Sequence, residues 1–280
     1  MDLTKNKIGI YEKAIPNAFD WETKILVAKQ AGFDYIEISI DESDERLARL
    51  NWTDKERSEL KELLEKNDMY IESMCLSGHR KYPFGSKNDK TRAKAYELID
   101  KALQFAIDLG INNIQLAGYD VYYEESDEET IKLFIDGLTY SARKAEDLGV
   151  MLSLEIMDTW LMGTITRCLE YINKVDSKHL KIYPDLGNLT QWTKVPEKEL
   201  EKGIDHIVQI HLKDTLPDTF KCVPFGHGDV RFVDLFNKLK ELKYELPFLI
   251  EMWADNTKEY TVEQSVKELV EAKNWLQNRM

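Results

Sequence analysis

Short apolar runs alternate along this chain with longer stretches in which apolar residues recur at helical spacing. Residues 150–154 form an almost entirely apolar run after Gly149, which predicts a strand buried on both faces. Residues 88–109 instead carry apolar side chains on one helical face, and Gly110 ends this predicted helix. Along the whole sequence, the same two patterns predict eight strands and eight helices in alternation.

The predicted elements follow one another closely from the first strand to the last helix. Strands are predicted at residues 7–11, 35–40, 70–76, 113–117, 150–154, 179–184, 207–210 and 247–250. Helices are predicted at residues 21–31, after the capping box that begins at Thr53, and at 88–109, 126–148, 163–176, 195–203, 231–242 and 260–278. The acidic stretch 41–45 is predicted to form a turn after the second strand.

The alternation predicts parallel strands, because each strand is followed by enough residues for a crossover helix. Eight such repeats in 280 residues favour an α/β fold, the (β/α)8 TIM barrel, with residues 1–280 as a single domain. An open doubly wound sheet is the alternative, but no Gly-x-Gly-x-x-Gly motif follows the first strand. We therefore expect a closed barrel.

The composition of the chain argues against nucleic acid and membranes as partners and favours a reducing compartment. The chain carries 51 Asp and Glu against 38 Lys and Arg, a formal net charge of −13, and such a surface repels the phosphate backbone of a nucleic acid. The three cysteines lie far apart, which argues against a disulfide framework and favours a reducing compartment. The sequence has no apolar leader and no run of 18 apolar residues, so we expect a soluble cytoplasmic protein without a membrane partner.

Four of the predicted strands end at residues that can bind a metal ion. The four residues are Glu155, Asp185, His211 and Glu251, at successive spacings of 30, 26 and 40 residues. Parallel strands at these spacings would present all four side chains at the carboxyl end of the barrel, where barrel enzymes carry their active sites. Three carboxylates and one imidazole suit one divalent metal ion, Mn²⁺, Mg²⁺, Co²⁺ or Zn²⁺.

Glu155 and Glu251 follow the fifth and eighth strands and would face each other across the barrel mouth. Opposed carboxylates suit proton transfer beside a carbonyl, because one can remove a proton from one face of a carbon while the other returns a proton to the opposite face. The hypothesis is two-glutamate proton transfer through a cis-enediolate held by the metal. A structural ion is the alternative, but a site that opens at the barrel mouth favours catalysis.

Two loops are candidates for binding a phosphate group, and some of their residues could bind sugar hydroxyls instead. After strand seven, where barrels often bind phosphate, the candidates are Lys213, Lys221 and the backbone of residues 226–228. After strand three, they are Ser77, His79, Arg80 and Lys81. The candidates for sugar hydroxyls are Asn188, Lys213 and Lys221. Each lysine could equally be a solvated surface charge, and His79 a hydrogen-bonded loop residue.

Seven longer strings lie along nearly the whole chain. They are GIYEKA at residues 9–14, DERL at 44–47, SMCLS at 73–77, IQLAGYDVYY at 114–123, EIMD at 155–158, YPDLGN at 183–188 and VPFG at 223–226. These strings resemble the L-ribulose-5-phosphate (L-xylulose-5-phosphate) 3-epimerases of the xylose-isomerase-like barrel superfamily. The string at 114–123 is far more specific than the four metal-binding positions, which many members of the superfamily share.

The resemblance implies a metal-dependent isomerase that epimerises C3 of a phosphorylated ketopentose and serves bacterial breakdown of L-ascorbate and related pentoses. It also implies that Glu155, Asp185, His211 and Glu251 bind the metal, and that Glu155 and Glu251 are the proton-transfer pair. The expected partner is a small-molecule sugar phosphate. The sequence allows a homodimer without requiring one.

Three other functions compete with this interpretation. A phosphate-ester hydrolase resembling the endonuclease IV branch would need further histidine ligands and a basic groove for DNA, and the chain has five histidines and a charge of −13. A sugar-binding barrel without catalysis would not require the pair of glutamates. A free-ketose 3-epimerase or an aldose–ketose isomerase is the nearest rival, because it would use the same metal and the same carboxylates.

Overall fold

Parallel strands alternate with helices along residues 2–280, the part of the chain that the computed structural model describes. Seven barrel strands come first: β1 (Ile8–Tyr11), β2 (Tyr35–Ser39), β3 (Ile71–Leu76), β4 (Asn113–Leu116), β5 (Met151–Glu155), β6 (Leu180–Tyr183) and β7 (Ile210–Leu212). An antiparallel hairpin, β8 (Asp214–Leu216) and β9 (Thr219–Val223), precedes the last barrel strand, β10 (Phe248–Ile250). The predicted single domain begins at Met1, which lies outside the described residues.

The eight barrel strands are hydrogen-bonded in the order β6-β5-β4-β3-β2-β1-β10-β7, and every pair is parallel. Two isolated parallel bridges, Ile182 with Ile207 and Asp185 with His211, join the two ends of this sheet. The ring is therefore nearly closed, and the predicted (β/α)8 barrel is confirmed.

Helices connect the strands around the outside of the barrel. They are α1 (Trp21–Gln30), α2 (Asp44–Ala48), α3 (Asp54–Lys66), α4 (Asp89–Leu109), α5 (Glu128–Leu148), α6 (Ile165–Val175), α7 (Leu186–Trp192), α8 (Pro196–Gly203), α9 (Phe232–Glu241) and α10 (Val262–Gln277). Caps define many of their ends, such as the capping box in which Thr53 accepts from Glu56 N and the left-handed glycines after α4 and α5. Across residues 2–280, none of these helices is long and apolar enough to cross a membrane.

The two faces of each barrel strand differ in chemistry. In β2, Ile36 and Ile38 belong to the large apolar core, whereas Glu37 contacts residues of β6 and β7. Because β2 is not adjacent to either of those strands, this contact must cross the interior of the barrel. The same alternation in β5 places Leu152 and Leu154 in the apolar core. From Leu152 to Glu155, β5 is buried on both faces, as predicted for residues 150–154, but its inward face carries the polar residues Ser153 and Glu155.

The interior of the barrel is tightly filled where β1 and β2 pair. A side-chain carbon added to Gly9 would lie 2.1 Å from the ring of Tyr35, which is fully buried. The Tyr35 hydroxyl in turn donates to the carbonyl of Phe248 at 2.6 Å. Only a residue without a side chain at position 9 leaves room for this ring.

Two predicted local features are wrong. The stretch 41–45 is not only a turn, because Ser43 caps the short helix α2 and Arg46 of that helix forms an ion pair with the buried Glu12 at 2.9 Å. Strand seven does not end before His211, because His211 is the central residue of β7 and pairs with Leu249 of β10. Both differences depend on partners that are distant in the sequence.

Candidate active site

Four chain segments bring the predicted metal ligands to the same end of the barrel. Glu155 is the last residue of β5, and Glu251 directly follows β10. Asp185 lies two residues after β6 and caps α7, where its Oδ1 accepts from the backbone N–H of Asn188 at 2.8 Å. His211 lies in β7, and its ring packs at a tilt of 59° against that of Tyr183, 4.3 Å between centroids.

The four side chains converge on one point. Each offers a ligand atom, and these four atoms all lie within 4.8 Å of one another. His211 Nδ1 lies 3.5 Å from Glu155 Oε1, and 3.6 Å from Glu251 Oε2. All four residues are buried, with Asp185 and His211 fully so and the two glutamates slightly open to the mouth. The structure thus places together the residues that the strand ends predicted.

The donor set fits a divalent cation. Three of its buried atoms, Asp185 Oδ2, His211 Nδ1 and Glu251 Oε2, have no hydrogen-bond partner among residues 2–280. Buried polar atoms left in this way are costly, and three of them around one point would be satisfied by a single ion. Carboxylate oxygens with one imidazole are ligands that Zn²⁺ and Mn²⁺ accept.

Lys213 partly neutralises the carboxylates. Its ammonium lies 2.8 Å from Asp185 Oδ2 and 3.0 Å from Glu251 Oε2, although neither contact has hydrogen-bond geometry. Burial alone would lower the pKa of Lys213, but the carboxylates of Asp185 and Glu251 raise it well above its usual value. Lys213 is therefore a fixed positive charge beside the candidate metal site.

The pKa values of Glu251 and Asp185 are shifted in opposite directions in this site. Burial raises the pKa of Glu251 to about 7, although Lys213 and His211 oppose the increase. Burial also acts to raise the pKa of Asp185, but Lys213 and His211 hold it well below its usual range. Two carboxyl groups in one site with pKa values moved apart are typical of acid–base chemistry.

A cavity of about 340 Å³ opens above these groups at the barrel mouth. Glu155 and Glu251 line its floor together with Lys213 and Asn188. Asn188 Nδ2 donates to the carbonyl of Ile156 at 2.9 Å, which leaves its buried Oδ1 without a partner. Asn188 can therefore accept a hydrogen bond from a hydroxyl group in the cavity, in keeping with its predicted role.

The loop after β3 contributes only half of its predicted residues to this cavity. Ser77 and Arg80 line the cavity, and the Arg80 guanidinium stacks over the ring of Tyr122 at 4.5 Å. His79 is buried elsewhere, against Phe84 and the carbonyl of Ala95, and burial lowers its pKa to about 4. Placing His79 at the substrate site was wrong, because an apolar pocket under α4 holds its ring.

The remaining basic residue of that loop is also outside the cavity. Lys81 lies at the surface and forms an ion pair with Asp44 at 2.8 Å. Lys81 therefore behaves as the solvated surface charge that was its alternative interpretation.

Only some of the residues predicted to bind substrate in the loop after β7 line the cavity. Lys213 and Lys221 line the cavity. The backbone N–H groups of Gly226 and Gly228 instead donate to Asp214 Oδ2 at 2.8 and 3.0 Å. These amides already bind an anion from the chain itself, so the predicted phosphate-binding backbone at 226–228 is wrong.

Two cavity residues were not predicted from the sequence. Lys13 lines the cavity from the loop after β1, paired with Asp41, and Tyr11 packs against Trp253 in the cavity wall. The available signal for Lys13 was position, since it follows the end of β1. A carboxyl-end position is the general mark of active-site residues in a barrel.

Comparison with known proteins agrees with this architecture. Residues 25–279 match the family described as xylose isomerase-like TIM barrel. The chain is 46% identical over 284 residues to the putative L-ribulose-5-phosphate 3-epimerase SgbU of Haemophilus influenzae, covering 99% of this chain and 98% of that protein. It is 45% identical over 273 residues to L-ribulose-5-phosphate 3-epimerase UlaE of Escherichia coli K12, covering 98% and 94%.

A solved structure with little sequence similarity has the same fold. The crystal structure of the IOLI protein with a bound zinc atom superposes with a TM-score of 0.79 at 17% identity, covering 98% of this chain and 99% of that one. At this identity the likeness concerns the fold, and the zinc belongs to that protein.

Proposed function

This chain belongs to the xylose isomerase-like TIM barrel family and, within it, to the L-ribulose-5-phosphate 3-epimerases, and from that premise we propose that it interconverts L-xylulose 5-phosphate and L-ribulose 5-phosphate. The observation that carries the proposal is the convergence of Glu155, Asp185, His211 and Glu251 on one point, with the two glutamates lining a cavity of about 340 Å³. These four residues would hold one divalent metal ion.

The two glutamates would move the proton at C3. Both line the cavity, and they lie at the carboxyl ends of β5 and β10, which are separated in the ring by β6 and β7 on one side. One carboxylate removes the proton from one face of C3, and the other returns a proton to the opposite face, which inverts the carbon.

Other residues would orient the sugar. A bound divalent ion would polarise the ketose carbonyl and lower the energy of the enediolate. Asn188 Oδ1 is positioned to accept from a sugar hydroxyl, and Lys213 is positioned to stabilise negative charge on a substrate oxygen. The ring of Trp253 closes one side of the cavity beside Lys213 and Lys221.

Deuterium exchange tests the reaction directly. In D₂O, each 5-phosphate should acquire deuterium at C3 while it is converted to its epimer, because the proton returned to the carbon comes from a group in contact with solvent. NMR spectra of the two epimers measure both events. Retained binding of the sugar phosphates with no exchange would instead indicate a sugar-binding barrel without catalysis.

Phosphate recognition would come from cations at the rim. Lys13, Arg80 and Lys221 all line the cavity, and among residues 2–280 no carboxylate lies within 4 Å of the Lys221 ammonium. A phosphate dianion would form charge-assisted hydrogen bonds with one or more of these groups. The variants to compare are Lys13→Ala, Arg80→Ala and Lys221→Ala. Each variant that removes a phosphate contact should lower kcat/KM for the 5-phosphate by about 10–150-fold, equal to about 1.5–3 kcal/mol.

The matched control is Lys81→Ala, which removes an exposed lysine next to Arg80 that does not line the cavity. Its kcat/KM should stay within about threefold of the parent value, since surface ion pairs contribute little. A variant that loses phosphate contacts should process the free ketose almost as well as the parent does. If the parent epimerises free L-ribulose as efficiently as the 5-phosphate, the chain is a free-ketose 3-epimerase instead.

A further inference from the structure

A fifth carboxylate lies in the barrel interior beneath the candidate metal site. Glu37 is fully buried in β2 and does not line the cavity. Its Oε1 lies 3.1 Å from His211 Nε2, and among residues 2–280 no lysine or arginine lies within 4 Å of it. A buried carboxylate without a lysine or arginine partner is expensive to maintain, so a specific role is expected.

The other oxygen of Glu37 is held by two hydroxyl donors. Ser73 Oγ donates to Oε2 at 2.6 Å, and the Tyr183 hydroxyl donates to it at 3.0 Å. Ser73 Oγ itself accepts from Gln209 Nε2 at 3.2 Å, so its own proton is directed at Glu37. In both hydroxyl contacts of this carboxylate, Glu37 is therefore the acceptor.

This arrangement determines which nitrogen of His211 carries the proton. Oε2 of Glu37 already accepts from two hydroxyls, and Oε1 has Nε2 of His211 as its partner, so Nε2 is the donor in any arrangement that leaves Nδ1 free to bind a metal. The lone pair of a neutral imidazole is then on Nδ1, the nitrogen that lies 3.5–3.8 Å from oxygens of Glu155, Asp185 and Glu251. A metal ion at this point would bind that lone pair.

We propose that Glu37 is a positioning residue for the metal centre, which holds His211 in the Nε2–H tautomer with Nδ1 directed at the three carboxylates. The inference rests on the metal site of the proposed function. It adds the residue that fixes the tautomer of His211, the nitrogen ligand of that site. Glu37 itself touches neither substrate nor metal.

Glu37→Gln tests the tautomer with little change in volume. Ser73 and Tyr183 would keep the amide oxygen, because both are donors, and the amide N–H group would then face His211 Nε2. That geometry favours the tautomer with the proton on Nδ1, which blocks the metal. We expect Zn²⁺ affinity, measured by competition with a coloured chelator, to fall about 10–100-fold.

Tyr183→Phe is the matched control. It removes one hydrogen bond to the same carboxylate but keeps the ring that packs against His211 and leaves the Glu37–His211 contact in place. Its Zn²⁺ affinity should stay within about threefold of the parent value, well short of the loss expected when an outer-sphere partner of a ligand is removed. An equal loss of affinity in both variants would mean that general packing, and not the tautomer, is responsible, and would overturn the inference.

A second measurement needs no substitution of Glu37. In the Zn²⁺-loaded parent, ¹⁵N–¹H spectra of the histidine rings should show a protonated Nε2 and a metal-bound Nδ1 for the ring that is lost in His211→Ala. A metal-bound Nε2 would contradict the inference, as would Glu37→Gln binding Zn²⁺ within threefold of the parent. A parent that binds no Zn²⁺, Mn²⁺ or Co²⁺ would instead refute the metal site of the proposed function.

Discussion

Glu155→Gln and Glu251→Gln are each expected to abolish epimerisation, with kcat reduced by at least about 10²–10⁴-fold. The side chains keep their size but can no longer exchange a proton. Both carboxylates line the cavity floor, and in the proposed mechanism each acts on a different face of C3. The rate of conversion between the two 5-phosphates, with added Mn²⁺ or Zn²⁺, measures the effect.

Hydrogen exchange can separate loss of a proton-transfer group from loss of the metal. If one glutamate acts on each face, the variant that lacks one of them still has the base for the other epimer. Each variant should then exchange the C3 proton of one epimer with D₂O while forming almost none of the opposite epimer. Loss of exchange from both epimers would show that the substitution removed the metal instead.

Glu72→Gln is a suitable control for these two variants. Glu72 also lies on a barrel strand, β3, but contacts Asn112 at 3.2 Å and is absent from the cavity. The amide can keep this contact, so turnover should stay close to that of the parent. Either active-site variant retaining more than a tenth of parental turnover would contradict the two-glutamate mechanism.

The position of the metal ligands could be predicted because it depends on strand order alone. Glu155 and Glu251 each adjoin a strand end, and parallel strands bring their carboxyl ends to one edge whatever the details of packing. No partner distant in the sequence had to be known. The same reasoning would have found Lys13, which also follows a strand end.

Glu37 could not be found in this way. It lies in the middle of β2 between Ile36 and Ile38, where an alternating pattern predicts an outward polar face exposed to solvent. In this barrel the apolar face of β2 lies under the helices and the polar face is inside. The inward direction becomes clear only from contacts across the barrel with Tyr183 and His211.

The prediction that the backbone of residues 226–228 binds phosphate was wrong for a related reason. A Gly-His-Gly sequence after strand seven has free backbone donors when only the sequence is considered. In the fold, Asp214 at the start of β8 reaches both glycine amides, and this carboxylate takes the place that a phosphate would need. Tertiary contacts thus decide whether a donor-rich loop is available to a ligand.

Asp185→Asn is expected to lower Zn²⁺ affinity by more than about 100-fold and to remove most of the activity. Removing a residue that binds the metal directly should lower the metal affinity more than removing a residue that only hydrogen-bonds to a ligand. The latter change typically lowers affinity by about 10–100-fold. The substitution is nearly isosteric, and asparagine can still cap α7 by accepting from Asn188 N, so the fold should be retained. Elemental analysis after dialysis measures the metal content.

Asp20→Asn is the matched control, because Asp20 is likewise the N-cap of a helix, α1, and accepts from Thr23 N at 2.9 Å. It is far from the four ligands in the sequence, on the helix after β1, and does not line the cavity. Its metal content should equal that of the parent. Full metal content in Asp185→Asn would remove Asp185 from the set of metal ligands.

Metal affinity of the parent should also depend on pH in a defined direction. Burial acts to lower the pKa of His211, but Glu37 and Glu251 raise it well above its usual value, and the pKa of Glu251 is about 7. Zn²⁺ must displace protons from both groups, so its affinity should rise from pH 6 to pH 8 with measurable proton release. His211→Ala should bind Zn²⁺ weakly and lose part of this proton release, because one of the two displaced protons is then absent. An unchanged pH dependence in that variant would show that His211 is not a ligand.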